Sequence, residues 1–251
     1  MLHRALSIHK EHELLQKLEA AGLDDGLAQS VIESPDSRLA KQVVAFIRRG
    51  GCLEPTSLNQ AREIMGSNML ATLEVMHSFH INPSAEQTNN LRVIPYNEIT
   101  LYDCRESHLL IAGYPFSIAD IFSKVPPGTF EGGELWWCNK RFAKEERVHS
   151  RWYLIRKDCV PGSILKSPYQ QSLLLKANEE IPRACELLYA VVIHFLVNKI
   201  WLFPDNYART ATRGLDKYDY IAVGCSKDGD IDIWTTGAGA EGGLASMKRF
   251  D

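Results

Sequence analysis

The residue types with the most chemical reach are concentrated toward the end of the chain. Asp228, Asp230 and Asp232 alternate, a spacing at which oxygen ligands can converge on a hard cation. An EF-hand loop beginning at Asp228 would require glycine where Ile233 stands and glutamate where Gly239 stands, so exposed acids on a half-buried strand are expected instead. The run Gly237-Ala238-Gly239-Ala240-Glu241-Gly242-Gly243 has the glycine content of a phosphate cradle. It lacks the strand-then-helix setting and the Lys-Ser/Thr pair of a P-loop, and is read as a flexible or close-packed loop. The six cysteines, Cys52, Cys104, Cys138, Cys159, Cys185 and Cys225, include no CxxC pair and so do not make a zinc framework; reduced, mostly buried thiols are expected. His9 with His12, and His77 with His80, could share a helix face, but without HExxH they read as helix-surface or cap residues. A Cys–His nucleophile, whose members would meet only in space, has no local support.

Trp136, Trp137 and Trp152 could stack on a sugar or a base, although core aromatics are the commoner outcome. Glu145 and Glu146 beside Lys144 and Arg147 read as a solvated helix face. No pair of carboxylates is positioned by sequence for acid–base work. No catalytic residue, metal or cofactor is therefore assigned.

The chain has 251 residues, 45% apolar and 24% charged, enough for one substantial core. A net charge of −3 lacks the basic excess that phosphate backbones attract, which disfavours a nucleic-acid partner. The longest apolar run, Leu187 to Val197, is interrupted by His194 and falls far short of the roughly 20 residues of a membrane span. Met1 to His12 carries charges and histidines in place of an apolar signal segment, so no signal peptide is expected and the compartment is left open, with the cytoplasm as the default.

Periodicity supplies the elements that must position these side chains. Leu14, Leu15, Leu18 and Leu23 follow helical spacing until Gly22 and Asp24 break it; Ser37 then caps a run with Leu39, Val43, Val44 and Ile47 that ends at Gly50-Gly51. This N-terminal helical module is assigned to 1–54, and the remaining domain to 55–251. Within the latter, helices are expected over Ala61–Met65, Met69–Phe79, Pro83–Val93 and Tyr96–Cys104, and buried strands at Leu109–Ala112 and Trp152–Ile155. Ile181 to Lys199, with Pro182 in the first turn and acids before it, predicts a central buried helix. In the tail, Tyr218, Tyr220 and Ala222 alternate with Ile221 and Val223, and Ser226-Lys227-Asp228-Gly229 makes a hairpin turn. The returning strand, Asp230 to Trp234, points Ile231 and Ile233 inward, and a last strand covers Leu244 to Arg249.

The tail resembles the variable proteins of diversity-generating retroelements, whose C-terminal region is rewritten by an error-prone reverse transcriptase. The likeness is carried by Ala208-Arg209-Thr210, Ile221-Ala222-Val223-Gly224, the Gly229 turn, Trp234 and Gly243-Leu244-Ala245-Ser246-Met247-Lys248. Ala61 to Gly66 and Asn178 to Pro182 extend it over roughly residues 58 to 251. Thr235-Thr236 stands where the family pattern has two acids after the tryptophan, and Gly242 where it has a leucine.

The resemblance implies an α+β C-type lectin-like domain of the formylglycine-generating-enzyme type, with short twisted antiparallel strands and a buried helix, preceded by the small helical region. It further implies a non-enzymatic ligand-binding protein whose variable region, about 205–251, contacts an unknown protein or cell-surface ligand. Alternation then divides the tail. Tyr218, Tyr220, Ala222, Cys225, Asp230, Asp232, Thr236, Gly237, Gly239 and Ala240 make the variable face, and Ile221, Val223, Ile231, Ile233, Trp234 and Leu244 hold the scaffold. Trp234 is expected to be fixed, since adenine-targeted mutation of Asn codons ending in a pyrimidine does not reach tryptophan. Two other classes compete: an oxidoreductase related to formylglycine-generating enzyme, which needs paired cysteines where the tail has Cys225 alone, and a helical adaptor docking through its N-terminal leucines.

Overall fold

A computed structural model of the chain describes residues 7–37, 39–41, 43–44, 55–130, 135–204, 206–214, 216, 219–225, 230–237 and 242–249. The chain divides into two compact units, 1–54 and 55–251. In the first, helix α1 (Ile8–Ala20) begins where the Ser7 hydroxyl accepts the Lys10 amide, and α2 (Asp25–Ile32) where Asp24 accepts the Leu27 amide. Leu14, Leu15 and Leu18 are exposed. The expected cap at Ser37 is corrected: Ser37 ends a short 3-10 turn, and the Leu39 amide donates to the Ser34 hydroxyl at 3.2 Å instead. Ile47 and Gly50-Gly51 lie outside the described residues.

The second unit mixes short helices with two small sheets. Helix α3 (Leu58–Met65) stops at Gly66, which takes a positive φ. The single helix expected over Met69–Phe79 is two elements: strand β1 (Met69–Leu70) and helix α4 (Thr72–Phe79). Glu74 accepts the Ala71 amide at 3.0 Å and fixes the later helix start. Helices α5 (Ala85–Asn89) and α6 (Glu98–Cys104) follow, then strand β2 (His108–Ala112), helices α7 (Ile118–Phe122) and α8 (Arg141–Glu145), and strand β3 (Trp152–Arg156). Helix α9 (Pro168–Ser172) has Ser167 as its cap, with Pro168 in its first turn. After strand β4 (Glu179–Glu180) comes the longest helix, α10 (Ala184–Asn198).

Helix α10 is buried without interruption from Ala184 to His194 and packs against α4, α7 and the tail strands. An all-round apolar surface requires this, because any exposed side would carry its residues into water. Its Tyr189 hydroxyl donates to the Ala112 carbonyl of β2 at 2.8 Å. At its N-terminus the Ala184 amide donates to the Thr212 hydroxyl, which in turn donates to Glu146 at 2.6 Å. Glu146 is thereby bound into the tail packing, whereas Lys144, Glu145 and Arg147 are exposed, Glu145 pairing with Arg141.

Strands β5 (Tyr207–Arg213), β6 (Tyr220–Cys225), β7 (Ile231–Thr236) and β8 (Gly243–Leu244) form one sheet in the order β7-β6-β5-β8. Strand β9 (Met247–Lys248) belongs to the other, ordered β1-β2-β3-β9-β4. The single last strand expected over Leu244–Arg249 is therefore corrected. Ala245 and Ser246 carry the chain from one sheet into the other, the Ala245 amide bonding to the Arg209 carbonyl and the Ser246 carbonyl accepting from Arg156. Among the described residues, no helix is long and apolar enough to cross a membrane.

Candidate recognition face

Strands β6 and β7 pair residue for residue, from Tyr220 opposite Thr236 to Cys225 opposite Ile231. Side chains alternate across the sheet, so odd-numbered residues share one side of this ribbon and even-numbered residues the other. The odd side is Ile221, Val223, Cys225, Ile231 and Ile233, all buried in the common core, with the half-buried Thr235 at its end. The even side carries the exposed Trp234 and the half-buried Tyr220 and Asp232 beside the buried Ala222, Gly224 and Thr236. There, Asp232 stands opposite Gly224, which stands opposite Tyr207 on β5. Because Gly224 has no side chain, the Tyr207 hydroxyl reaches over it to the Asp232 carboxylate at 3.1 Å. A Cβ on Gly224 would run into the Asn206 carbonyl, so this close approach requires glycine.

The next row along is Trp234, Ala222 and Arg209, and the one after it Thr236, Tyr220 and Arg213. Strand β5 loses register between Arg209 and Arg213 because the Ala211 amide leaves the ladder to bond the Pro182 carbonyl at 2.8 Å. The two arginines nevertheless converge. Their guanidinium carbons lie 4.6 Å (Arg209) and 4.1 Å (Arg213) from the Tyr220 ring centroid, within cation–π range.

The ten expected face residues divide three ways. Tyr218, Gly239 and Ala240 lie outside the described residues. Tyr220, Asp230 and Asp232 are half-buried and Gly237 is exposed. Ala222, Cys225 and Thr236 are buried, which corrects their expected exposure. Ala222 is covered because its methyl group is short and stands between the much larger Trp234 and Arg209. Cys225 is odd-numbered and shares the core side with Ile221 and Val223; its thiol donates to the Leu202 carbonyl. Thr236 turns its hydroxyl to the Tyr220 carbonyl at 3.3 Å.

Of the expected scaffold, Ile221, Val223, Ile231, Ile233 and Leu244 are fully buried. Trp234 is the exception: at 57% exposed it lies on the outward side, as its even number dictates. The β7 edge is covered elsewhere, since the Ile231 amide bonds the Thr129 carbonyl and the Trp136 indole donates to the Ile233 carbonyl at 3.1 Å. Trp137 and Trp152 are core residues, so the three tryptophans make no stacking surface together.

Burial works against the thiolate form of the described cysteines. Burial pushes Cys225 and Cys185 up to about 12 and Cys159 up to about 11, and it also raises Cys104 and Cys138. Among the described residues, no group of three or more His, Cys, Asp or Glu side chains could hold a metal ion. Sequence reasoning gave no site role to Tyr207, Arg209 or Arg213. Their signal was the even spacing of an aromatic and two cations along a segment whose alternate members, Ala208, Thr210 and Thr212, are small and buried. Neither a family model, nor a curated protein, nor a solved structure matches this chain.

Proposed function

We propose that this is a non-enzymatic binding protein that presents the outward side of β6 and β7 to a protein or cell-surface ligand, as a variable protein of a diversity-generating retroelement. On this reading the 55–251 unit is a C-type lectin-like domain; two small sheets with one helix, buried from Ala184 to His194, against the tail strands support that assignment. The observation that carries the proposal is Trp234, an exposed aromatic on a strand whose Ile231 and Ile233 are completely buried. Such a strand separates contact from support: one side can change without disturbing the core that holds the backbone.

Among the described residues the contact set is Tyr220, Asp230, Asp232, Trp234 and Gly237. Trp234 is a fixed aromatic anchor within it, and the others are open to replacement. Rigid aromatic area with short polar neighbours is the composition of antibody-like contact surfaces. The deciding experiment is sequencing of the DNA around the gene. A near-copy of the segment encoding about 205–251, differing mainly at adenines and lying beside a reverse transcriptase, is expected. Its absence, or variation that falls equally on Ile231 and Ile233, would overturn the proposal.

A further inference from the structure

The two arginines of β5 differ in their surroundings. Arg213 is exposed, whereas Arg209 is 2% exposed and, among the described residues, forms no ion pair with a carboxylate. Its Nη2 is buried with no hydrogen-bond partner. Its Nε donates to Oε1 of Gln171. That amide is itself locked, since its Nε2 donates to the Ser163 and Gly242 carbonyls, both at 3.0 Å, which leaves the oxygen facing Arg209. A buried guanidinium without an anion is costly, and burial draws Arg209 below the ordinary arginine pKa. Tyr220 opposes that shift and the Arg213 charge adds to it.

A cavity of about 540 Å³ adjoins this cation, bounded by Tyr169, Ser172, Ile181, Arg209, Arg213 and Tyr220. Among the described residues its walls are apolar or aromatic apart from the Ser172 hydroxyl, which donates to the Tyr169 carbonyl, and its charged groups are Arg209 and Arg213. The neighbouring cleft also reaches Arg213, but its other arginines, Arg141, Arg147 and Arg183, are each paired with an acid.

We propose that the cavity binds an aromatic carboxylate, its carboxyl group received by Arg209 and its ring laid against Tyr169 and Ile181. A planar carboxylate matches the donor fork of a guanidinium and would supply the acceptor that Nη2 lacks. The Tyr220 ring, which stacks on Arg209, bounds the same cavity. Gln171 holds the guanidinium in place beforehand, so little ordering is left for the ligand to impose. The site goes beyond the reading above, because it requires neither diversification nor a macromolecular target.

The test is an NMR titration of the full-length ¹⁵N-labelled chain with benzoate, with N-acetyl-phenylalanine as a stand-in for a peptide C-terminus, and with benzamide as the neutral analogue. Saturable shifts at Arg209, Ser172 and Tyr220 are expected from an acid and not from benzamide; which acid binds more tightly identifies the source. Arg209→Lys keeps the charge and a donor for Gln171 but loses the fork, and should weaken binding by roughly 10- to 100-fold with the fold retained. No saturable shift, equal binding of benzamide, or wild-type affinity in Arg209→Lys would overturn the site. Should that variant fail to fold, the discrimination between acid and amide by the native chain still decides. Failure here leaves the proposed recognition face intact, since that rests on the surrounding DNA and on the Trp234 side of the ribbon.

Discussion

His108 illustrates what burial does to a single side chain. It is 3% exposed on β2, its Nδ1 lies 2.8 Å from the Ser107 hydroxyl, and its Nε2 is buried without a partner. Burial, with the Arg156 and Lys248 charges, lowers its pKa to about 4. Between that value and the ordinary value of 6.5, the unfolded chain binds a proton that the folded chain excludes. Stability should therefore fall as pH drops through this window and be fully present above it, a contribution of about 3 kcal/mol. Denaturant unfolding at about pH 7.5 and about pH 4.5 should show that difference, reduced by about 2–3 kcal/mol in His108→Leu. An unchanged difference in the variant would remove the role assigned to this histidine. Nothing in the sequence marks His108 as special; its burial comes from being the first residue of a strand flanked by two others.

At the scale of the element, the β6–β7 ribbon has two sides of unequal energetic weight. Ile233→Ala removes a buried side chain and should cost about 2–5 kcal/mol. Trp234→Ala, one residue along, removes an exposed one and should change stability by about 0.5 kcal/mol or less, a contrast readable in a pair of thermal melts. Equal losses would mean the two sides are not separable. Gly224→Ala should cost about 1–3 kcal/mol, because the added methyl group meets the β5 backbone and not a flexible side chain. The alternation was legible in the sequence, and with it the inward placement of Ile221, Val223, Ile231 and Ile233. The parity of Cys225 and Trp234 was equally available: counting by twos places the cysteine inside and the tryptophan outside. The burial of Ala222 was not legible, since it depends on the size of its cross-strand neighbours.

For the 55–251 unit, the position of β9 matters most. The last strand lies between β3 and β4, so the end of the chain completes a sheet begun by β1 near residue 69. Lys248 pairs there with Glu179 at 3.0 Å, both nearly buried. The Glu179 carboxyl stays below its usual pKa despite burial because the Lys176 amide and Lys248 both favour its charged form. Lys248→Met should destabilise by about 3–5 kcal/mol by leaving that carboxylate unpaired. Pairing it with Glu179→Leu should recover much of the loss, and a double-mutant cycle on unfolding free energies would measure it. Additive losses would show that the pair is not coupled.

The amino-acid sequence by itself determined the strands Leu109–Ala112 and Trp152–Ile155, the buried helix after Pro182 and the two-sided tail ribbon, because each follows from local periodicity and from where apolar side chains must go. Only the tertiary structure decided that Met69-Leu70 is a strand, that the tail changes sheets at Ala245-Ser246, and that Arg209 and Arg213 converge on Tyr220. Those outcomes depend on partners far away in the chain: β2 for Met69, Arg156 for Ser246, and Pro182 for the shift in β5 between its arginines. A local pattern can state which side of an element is apolar, but not which surface will meet it.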